Sequence, residues 1–374
     1  MNKKKSLFFG IILTGILLSL FMVVKTISRV EKSNQTETFH EARFYHSVEG
    51  GLTQCELCPN RCLLKEGQRG LCKARENIGG KLYSLVYGKP VTTAVDPIEK
   101  KPFFHFLPGA KAYSLATAGC NLACKYCQNW DISQRFPEDV ASTPMTPQQV
   151  VDEALKSNSQ VIAFTYNEPV VWYEYMLDIA KLAKEKGLRT VAISNGYINE
   201  EPLKELLPYL DAYKVDLKAF DEEVYRQMSG GKLEPVLQTI KRVYNSATWL
   251  EIVYLVVPTY TDNLAEIKKT CLWLKENVGE DVPLHFSRFW PKYKLLDLPP
   301  TPEEIVKEAR DTCLNVGLKY VYTGNIEYEI GETTFCPENG KAVIKRKGFF
   351  VEENLVDSLG RASNCPSSIS GVWR

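Results

Sequence analysis

The stretch AYSLATAGCNLACKYCQNW, residues 112–130, carries the strongest fold signal in this chain of 374 residues. Its first part, Ala112–Thr117, is mostly apolar and predicts a buried β-strand. Directly after it, Cys120, Cys124 and Cys127 stand in a C-x3-C-x2-C spacing. Three thiolates this close can ligate three irons of a 4Fe–4S cubane, which leaves the fourth iron without a protein ligand. A zinc knuckle is the alternative, but knuckles usually pair C-x2-C units. The spacing therefore predicts an iron–sulfur cluster with one open iron.

From this strand onward, strand patterns alternate with helix patterns over most of the remaining chain. Repeated βα units predict an α/β fold whose parallel sheet is either open or curled into a barrel. Thr146 before Pro147, and Thr301 before Pro302, each predict an N-cap followed by proline at the first helical position. The predicted strands are Ala112–Thr117, Val161–Thr165, Leu188–Ser194, Ala212–Leu217, Trp249–Val257, Leu284–Ser287 and Leu318–Tyr322, and the predicted helices include Pro147–Ser157, Val170–Lys186, Leu264–Asn277 and Pro302–Val316.

Polar or glycine-containing segments follow almost every predicted strand. The active site of a parallel α/β barrel lies where its strands end, at the carboxyl face. One or two polar strand ends would be ordinary loop composition, whereas seven in series indicate a lined cavity. The seven are the cysteine loop, Tyr166–Pro169, Ser194–Gly196, Asp216–Lys218, Pro258–Thr259, His285–Arg288 and Gly324–Asn325.

The cysteine loop with its neighbours, Ala118–Trp130, resembles the radical S-adenosylmethionine (SAM) superfamily, including Tyr126 just before the last cysteine. Within it, the segment is similar to the branch of pyruvate formate-lyase activating enzymes and to the AmmeMemoRadiSam system radical SAM enzymes. The resemblance spans roughly residues 55–374. It implies a partial (β/α)6-type barrel and a 4Fe–4S cluster whose open iron takes the amino and carboxylate groups of SAM.

The same resemblance implies an enzyme, an activating-enzyme-like oxidoreductase. Reductive cleavage of the C5′–S bond of SAM would give methionine and a 5′-deoxyadenosyl radical, which abstracts hydrogen from an unidentified protein or small-molecule substrate. An electron donor such as a flavodoxin or ferredoxin is implied as a partner. By analogy alone, activation of a glycyl radical enzyme is one candidate reaction.

The resemblance also implies roles for residues at two strand ends. Asn167-Glu168-Pro169 stands where the family has Gly-Gly-Glu-Pro and is similar to it in the last two residues. The resemblance implies Asn167 and Glu168 as SAM-binding residues, and Glu168 would receive the ammonium group of SAM. The alternative for Glu168 is an acid favoured by the first turn of a helix. Asn195, in Ser-Asn-Gly, matches the family's Thr-Asn-Gly and would contact the methionine carboxylate or the ribose.

Four more residues are implied as SAM contacts. Asp216 and Lys218 match an Asp-Leu-Lys segment that lies near SAM in the activating enzymes, with a buried ion pair as the alternative. His285 matches another position close to SAM, although a single histidine in a strand is often a core residue. Arg288 would hold a carboxylate or pair with an acid.

A second cysteine group, the leader cysteines Cys55, Cys58, Cys62 and Cys72, precedes the core. Four thiolates within eighteen residues satisfy either a tetrahedral zinc site or an auxiliary iron–sulfur cluster. Ligand type does not choose between the two metals, because both accept four thiolates. The family carries a similar Cys-x-Leu-Cys-Pro-x-x-Cys leader.

The tail contains Cys336-Pro-Glu-Asn339 and Cys365-Pro-Ser-Ser368, which resemble two zinc-ribbon knuckles that each lack the second cysteine. Two thiolates with an amide and a hydroxyl make a poor zinc site. We therefore expect a degenerate ribbon that keeps the hairpin scaffold without the metal.

The N-terminus predicts a membrane anchor. Residues 6–24 contain no charge, and nineteen residues of helix span roughly 28 Å, about the thickness of the hydrocarbon core. A cleaved signal peptide is the alternative, because three lysines precede the segment, but no small-x-small cleavage site follows it. The basic residues on its two sides nearly balance, so orientation rests on chemistry: a low-potential cluster favours the reducing cytoplasm for the catalytic body.

Composition excludes little else, but it gives no sign of a nucleic-acid partner, because the net charge is only +1. Two other function classes remain open at this point: a non-catalytic iron–sulfur electron carrier and a zinc-ribbon interaction protein. The predicted organisation is an anchor at 6–24, a linker at 25–50, a Cys-rich N-terminal segment at 51–105, the core at 106–325 and the tail at 326–374.

Overall fold

A sheet of eight strands forms the centre of the computed structural model, which describes residues 39–374. Seven of the strands are parallel and lie side by side in chain order, and the edge strand β7 pairs antiparallel with β8. Apolar runs such as VIAF in β9, buried throughout, explain why these segments are strands covered on both faces. The strands are β7 Thr92–Pro97, β8 Lys111–Ala116, β9 Val161–Phe164, β10 Arg189–Ser194, β11 Ala212–Leu217, β12 Trp249–Val256, β13 Leu284–Arg288 and β14 Val321–Gly324.

The predicted α/β fold with a central parallel sheet is confirmed, with one parallel strand more than a six-strand barrel requires. Helices follow the strands, and those of seven residues or more bury apolar side chains against the core. The helices are α1 Trp130–Ser133, α2 Pro147–Lys156, α3 Tyr173–Glu185, α4 Glu200–Leu206, α5 Glu222–Ser229, α6 Leu233–Tyr244, α7 Leu264–Val278, α8 Glu303–Val316 and α9 Glu329–Glu332, and short 3-10 turns occupy Glu49–Gly51, Ile98–Lys100, Pro137–Asp139, Pro169–Trp172 and Leu207–Tyr209.

The two predicted helix caps had different outcomes. Thr146 accepts a hydrogen bond from the backbone N–H of Gln149 and completes a capping box, as predicted. The cap at Thr301 was wrong, because Pro302 is the N-cap and α8 begins at Glu303. The Thr301 hydroxyl instead donates to the carbonyl of Val256, 2.6 Å away, so it ties the loop to the end of β12.

The segment before the core is folded onto it. Its strands are β1 His40–Glu41, β2 Tyr45–Val48, β3 Leu52–Cys55, β4 Leu63–Leu64, β5 Arg75–Ile78 and β6 Lys81–Ser84. The end of the segment predicted as a linker therefore contains β2, which pairs antiparallel with β3. Arg75, 1% exposed, forms an ion pair with Glu174 of α3 at 2.6 Å. A buried charge needs such a partner, so this pair joins the leader to the core.

The tail forms a three-stranded antiparallel sheet of β15 Thr334–Phe335, β16 Ala342–Lys347 and β17 Phe350–Asn354. A disulfide joins Cys336 to Cys365, whose Cα atoms are 5.5 Å apart. A second disulfide, between Cys271 of α7 and Cys313 of α8, was not anticipated from the sequence.

The predicted anchor at 6–24 lies outside the described residues. Within residues 39–374, no helix is both long enough and apolar enough to span a bilayer.

Candidate active site

A cavity of about 540 Å³ opens at the carboxyl ends of the parallel strands. A volume of this order is typical of small-molecule sites. Of the predicted polar strand ends, Pro258–Thr259 is not among the lining residues. All the site residues predicted for the core line the cavity: Cys120, Cys124, Tyr126, Cys127, Asn167, Glu168, Asn195, Asp216, Lys218, His285 and Arg288.

The cysteine loop is held by bonds from other elements. Gly119 has φ +97°, a conformation that favours glycine, and turns the chain from β8 into the loop. The Gly119 carbonyl accepts from the Asn167 side chain at 2.9 Å. Farther on, the N–H groups of Ala123 and Lys125 donate to carbonyls at the end of α5. The loop is therefore anchored along its length although it has no regular structure.

The three thiols suit a cluster better than a single ion. Burial raises the pKa of Cys124 to about 12 and that of Cys120 well above its usual value, so the free thiols are protonated and a metal must displace the protons. Among residues 39–374, no three Cys, His, Asp or Glu side chains stand at the distances of ligands to one ion, and this includes the leader cysteines. In a cubane each thiolate binds its own iron, so three thiols spread along one cavity wall fit that group.

Glu168 is a buried carboxylate aimed into the site, and it follows β9 on a turn that begins with Tyr166 at φ +66°. Its Oε1 accepts from the hydroxyl of Ser194 at 2.7 Å, and its Oε2 accepts from the backbone N–H of Asn195 at 2.8 Å. Burial raises the pKa of Glu168 to about 7, against the lowering effect of these bonds. A cationic group beside it would stabilise the ionised form.

Asp216 lies between two lysines. Lys214 Nζ is 2.5 Å from one carboxylate oxygen and Lys218 Nζ is 2.9 Å from the other. Burial by itself would raise the pKa of Asp216, but the two ammonium groups outweigh it and hold the pKa at about 2. The trio has a net charge of +1, so it can attract an anionic group. Lys214 was missed from the sequence, although its position two residues before Asp216 places it on the same face of β11.

His285 and Arg288 lie at different depths. His285 is the second residue of β13, is 2% exposed, and its Nε2 lies 2.7 Å from the carboxylate of Glu251. It thus forms part of the cavity floor. Arg288 ends the same strand, donates to the carbonyl of Thr301 and pairs with Glu303 at 3.0 Å.

A further polar group at the cavity comes from the turn after β7. The sequence predicts this turn to belong to the Cys-rich N-terminal segment and not to the core. Lys101 Nζ is 2.7 Å from Asp96 and 3.2 Å from the hydroxyl of Tyr166. Burial lowers the pKa of Lys101 to about 8. The signal in the sequence was Asp-Pro-Ile-Glu-Lys-Lys at 96–101, a charged run beside an apolar one.

The leader cysteines lie in a separate cavity. Cys55, Cys58, Cys62 and Cys72 all line a space of about 20 Å³, together with Asn121 of the cysteine loop. The two cavities therefore share the cysteine loop as a wall.

Comparison with known proteins gives a consistent result. Residues 114–274 match the family described as the Radical SAM superfamily. An uncharacterized protein of Methanocaldococcus jannaschii is 45% identical over 306 residues, 82% of this chain and 91% of that protein. A pyruvate formate-lyase-activating enzyme of Clostridium pasteurianum is 26% identical over 211 residues, 51% of this chain and 84% of that protein. A solved domain of a pyruvate-formate lyase-activating enzyme from Bacteroides vulgatus gives a TM-score of 0.39 at 18% identity, covering 44% of this chain and 98% of that one.

Gly119→Ala should displace the cysteine loop. A Cβ at this position would lie 2.4 Å from the carbonyl oxygen of Cys72, so backbone must move. We expect the variant to retain less iron and sulfide per chain after anaerobic reconstitution than the unchanged protein. Gly187→Ala is the matched control, because Gly187 also has positive φ (+73°) but meets nothing within 4 Å. Full cluster content in the Gly119 variant would contradict the tight fit of the loop.

Proposed function

This chain belongs to the radical SAM superfamily and is an enzyme, and on that premise we propose that Cys120, Cys124 and Cys127 hold a 4Fe–4S cluster for the reductive cleavage of SAM. When bound, the cluster supplies one electron to the sulfonium of SAM, which gives methionine and a 5′-deoxyadenosyl radical. The observation that carries the proposal is that three thiols, and no fourth, share one cavity with charged groups of both signs.

The chain's own residues orient the substrate. Glu168, fixed by Ser194 and Asn195, is suited to accept a hydrogen bond from the ammonium group of SAM. Lys218 and Lys214, on either side of Asp216, suit a carboxylate or hydroxyl groups. The carboxylate of Glu168 and the ammonium groups of Lys214 and Lys218 have opposite charges. This difference would set the direction in which SAM lies across the strand ends.

The hydrogen donor is proposed to enter beside Lys101, Arg288 and Phe349, which line the same cavity as the thiols. The similarity to pyruvate formate-lyase-activating enzymes favours a glycyl radical enzyme as one candidate substrate. A flavodoxin- or ferredoxin-like protein is the proposed electron donor. The alternative of a non-catalytic electron carrier is disfavoured, because such a site would have four cysteine ligands. A zinc ribbon is disfavoured because Asn339 and Ser368 stand where its other two thiolates would be, which makes a poor zinc site.

We propose that residues 6–24 anchor the chain as a single-pass protein and that the catalytic body faces the cytoplasm. The seven free cysteines proposed as metal ligands favour a reducing compartment, whereas the two disulfides favour an oxidising one. We give the metal ligands more weight, because the chemistry depends on them. The Cα separation of Cys336 and Cys365 permits a disulfide, so the redox poise of the compartment decides whether it persists.

SAM cleavage is the direct test of the proposed reaction. The reduced, reconstituted protein should convert SAM to 5′-deoxyadenosine and methionine, as measured by chromatography. Cys124→Ala should abolish both products, because one iron loses its protein ligand. No cleavage by the unchanged protein with a full complement of iron and sulfide would refute the proposal.

Glu168→Gln should weaken SAM binding more than it disturbs the cluster. A neutral amide loses the charge-assisted bond to the ammonium group, at a cost of roughly 1.5–3 kcal/mol. The SAM dissociation constant should therefore rise about 10- to 100-fold, with iron and sulfide content unchanged. An unchanged dissociation constant would mean that Glu168 only supports the turn after β9.

The orientation proposal can be tested in intact cells. A membrane-permeant thiol reagent should label the tail cysteines Cys336 and Cys365, and an impermeant one should not. Labelling by the impermeant reagent, or a Cys336–Cys365 disulfide in freshly lysed cells, would place the catalytic body on the far side of the membrane.

A further inference from the structure

We propose that Cys55, Cys58, Cys62 and Cys72 hold one zinc ion, and that this leader site positions the SAM site through a chain of asparagine hydrogen bonds. The zinc assignment stands by itself. The positioning role rests on the proposed function, because it acts on Glu168.

The size of the leader cavity favours a single ion. About 20 Å³ is space for roughly one atom-sized guest, since a water needs about 10–15 Å³ by the same measure. A cubane contains eight heavy atoms and would not fit. Two of the thiols lie close to one point: a Cβ placed on Gly70 would lie 3.6 Å from the sulfur of Cys72 and 3.7 Å from that of Cys62. As placed, the four sulfurs do not stand at ligand distances to one ion, so binding zinc at the 2.3 Å that it prefers requires the cysteine side chains to rotate.

Arg75 gives an independent indication of an anionic guest. Its side chain is 1% exposed and lines the same cavity. One terminal nitrogen of the guanidinium, Nη2, donates to Glu174, but its Nε has no hydrogen-bond partner among residues 39–374. A buried N–H without a partner costs about 1–3 kcal/mol. Zinc-bound thiolates would accept this N–H, which is how groups around a metal centre commonly stabilise its ligands.

A hydrogen-bond chain leads from this site to Glu168. Asn60, between Cys58 and Cys62, donates to the carbonyl of Asn121 at 2.8 Å. The side-chain oxygen of Asn121 accepts from the side chain of Asn195 at 2.9 Å. The backbone N–H of Asn195 binds Glu168 at 2.8 Å.

A packing contact also joins the leader cysteines to the cysteine loop. The Cys72 carbonyl packs against Gly119, directly before Cys120. An ion that fixes Cys58, Cys62 and Cys72 would therefore fix both contacts to the cysteine loop. Asn60 and Asn121 act as positioning residues in this arrangement, since neither is proposed to contact SAM.

Metal analysis tests the zinc assignment. The full-length triple variant Cys120→Ala, Cys124→Ala, Cys127→Ala should contain about one zinc per chain and no acid-labile sulfide. Adding Cys58→Ser and Cys62→Ser should remove the zinc. Iron with sulfide in the triple variant, or a folded protein without metal, would overturn the assignment. Neither result depends on SAM chemistry.

SAM binding tests the positioning role. Asn60→Ala should leave zinc, iron and sulfide unchanged but raise the SAM dissociation constant about 3- to 10-fold, the effect of one hydrogen bond. Gln54→Ala is the control, because Gln54 also binds this loop, at the Arg61 carbonyl, without a link to Asn121. The double variant Cys58→Ser, Cys62→Ser should reproduce the Asn60 effect. Equal SAM affinity in the Asn60 variant and the unchanged protein would refute the coupling. If the unchanged protein binds no SAM, the proposed function fails while the zinc result still stands.

Discussion

The geometry of the site depends on the hydrogen-bond partners of the backbone of one irregular, buried loop. Residues 118–127 contain neither helix nor strand, yet buried N–H and C=O groups need partners. Distant parts of the chain supply them: Asn60 and Asn167 donate to loop carbonyls, and α5 accepts from loop N–H groups. Gln134 donates to the carbonyl of Leu122. Each of these bonds fixes a Cα–Cβ direction nearby, and so the directions of the three thiols follow from contacts outside the loop.

The same principle governs the charges around the cavity, because an unpaired buried charge is costly. Glu251, fully buried, accepts from the backbone N–H groups of Phe104 and His105 and from the side chain of Trp249. Burial by itself would raise the pKa of Glu251. The hydrogen bond from His285 outweighs this effect and lowers the pKa below its usual value, so the carboxylate stays ionised. The buried charge at the cavity floor is thus balanced by hydrogen-bond donors. Glu168 differs, since only uncharged donors surround it, and this leaves it able to take a cation.

Much of this could be predicted from the sequence, and the misses have physical causes. Runs such as AYKVDL at 212–217 have a strand period that does not depend on partners, and their polar ends follow from topology. The Asp96–Lys101–Tyr166 group joins residues 65 and 70 positions apart, which no local pattern encodes. β7 was missed because half of its residues are exposed and it pairs at an edge. The spacing of the leader cysteines does not choose between zinc and a cluster, because both accept four thiolates.

The tail shows why a ribbon scaffold would persist without its metal. Arg346 of β16 is fully buried, and its guanidinium donates to the carbonyl of Phe104 and to the hydroxyl of Thr334. Just beyond it, the turn at Gly348 and Phe349 forms part of the cavity wall. The hairpin therefore completes the site as well as covering the core. The two tail cysteines, whose Cα atoms lie 5.5 Å apart, stand where a ribbon's metal would join the two ends of the hairpin. The scaffold is needed for the wall it supplies, and the ion is not.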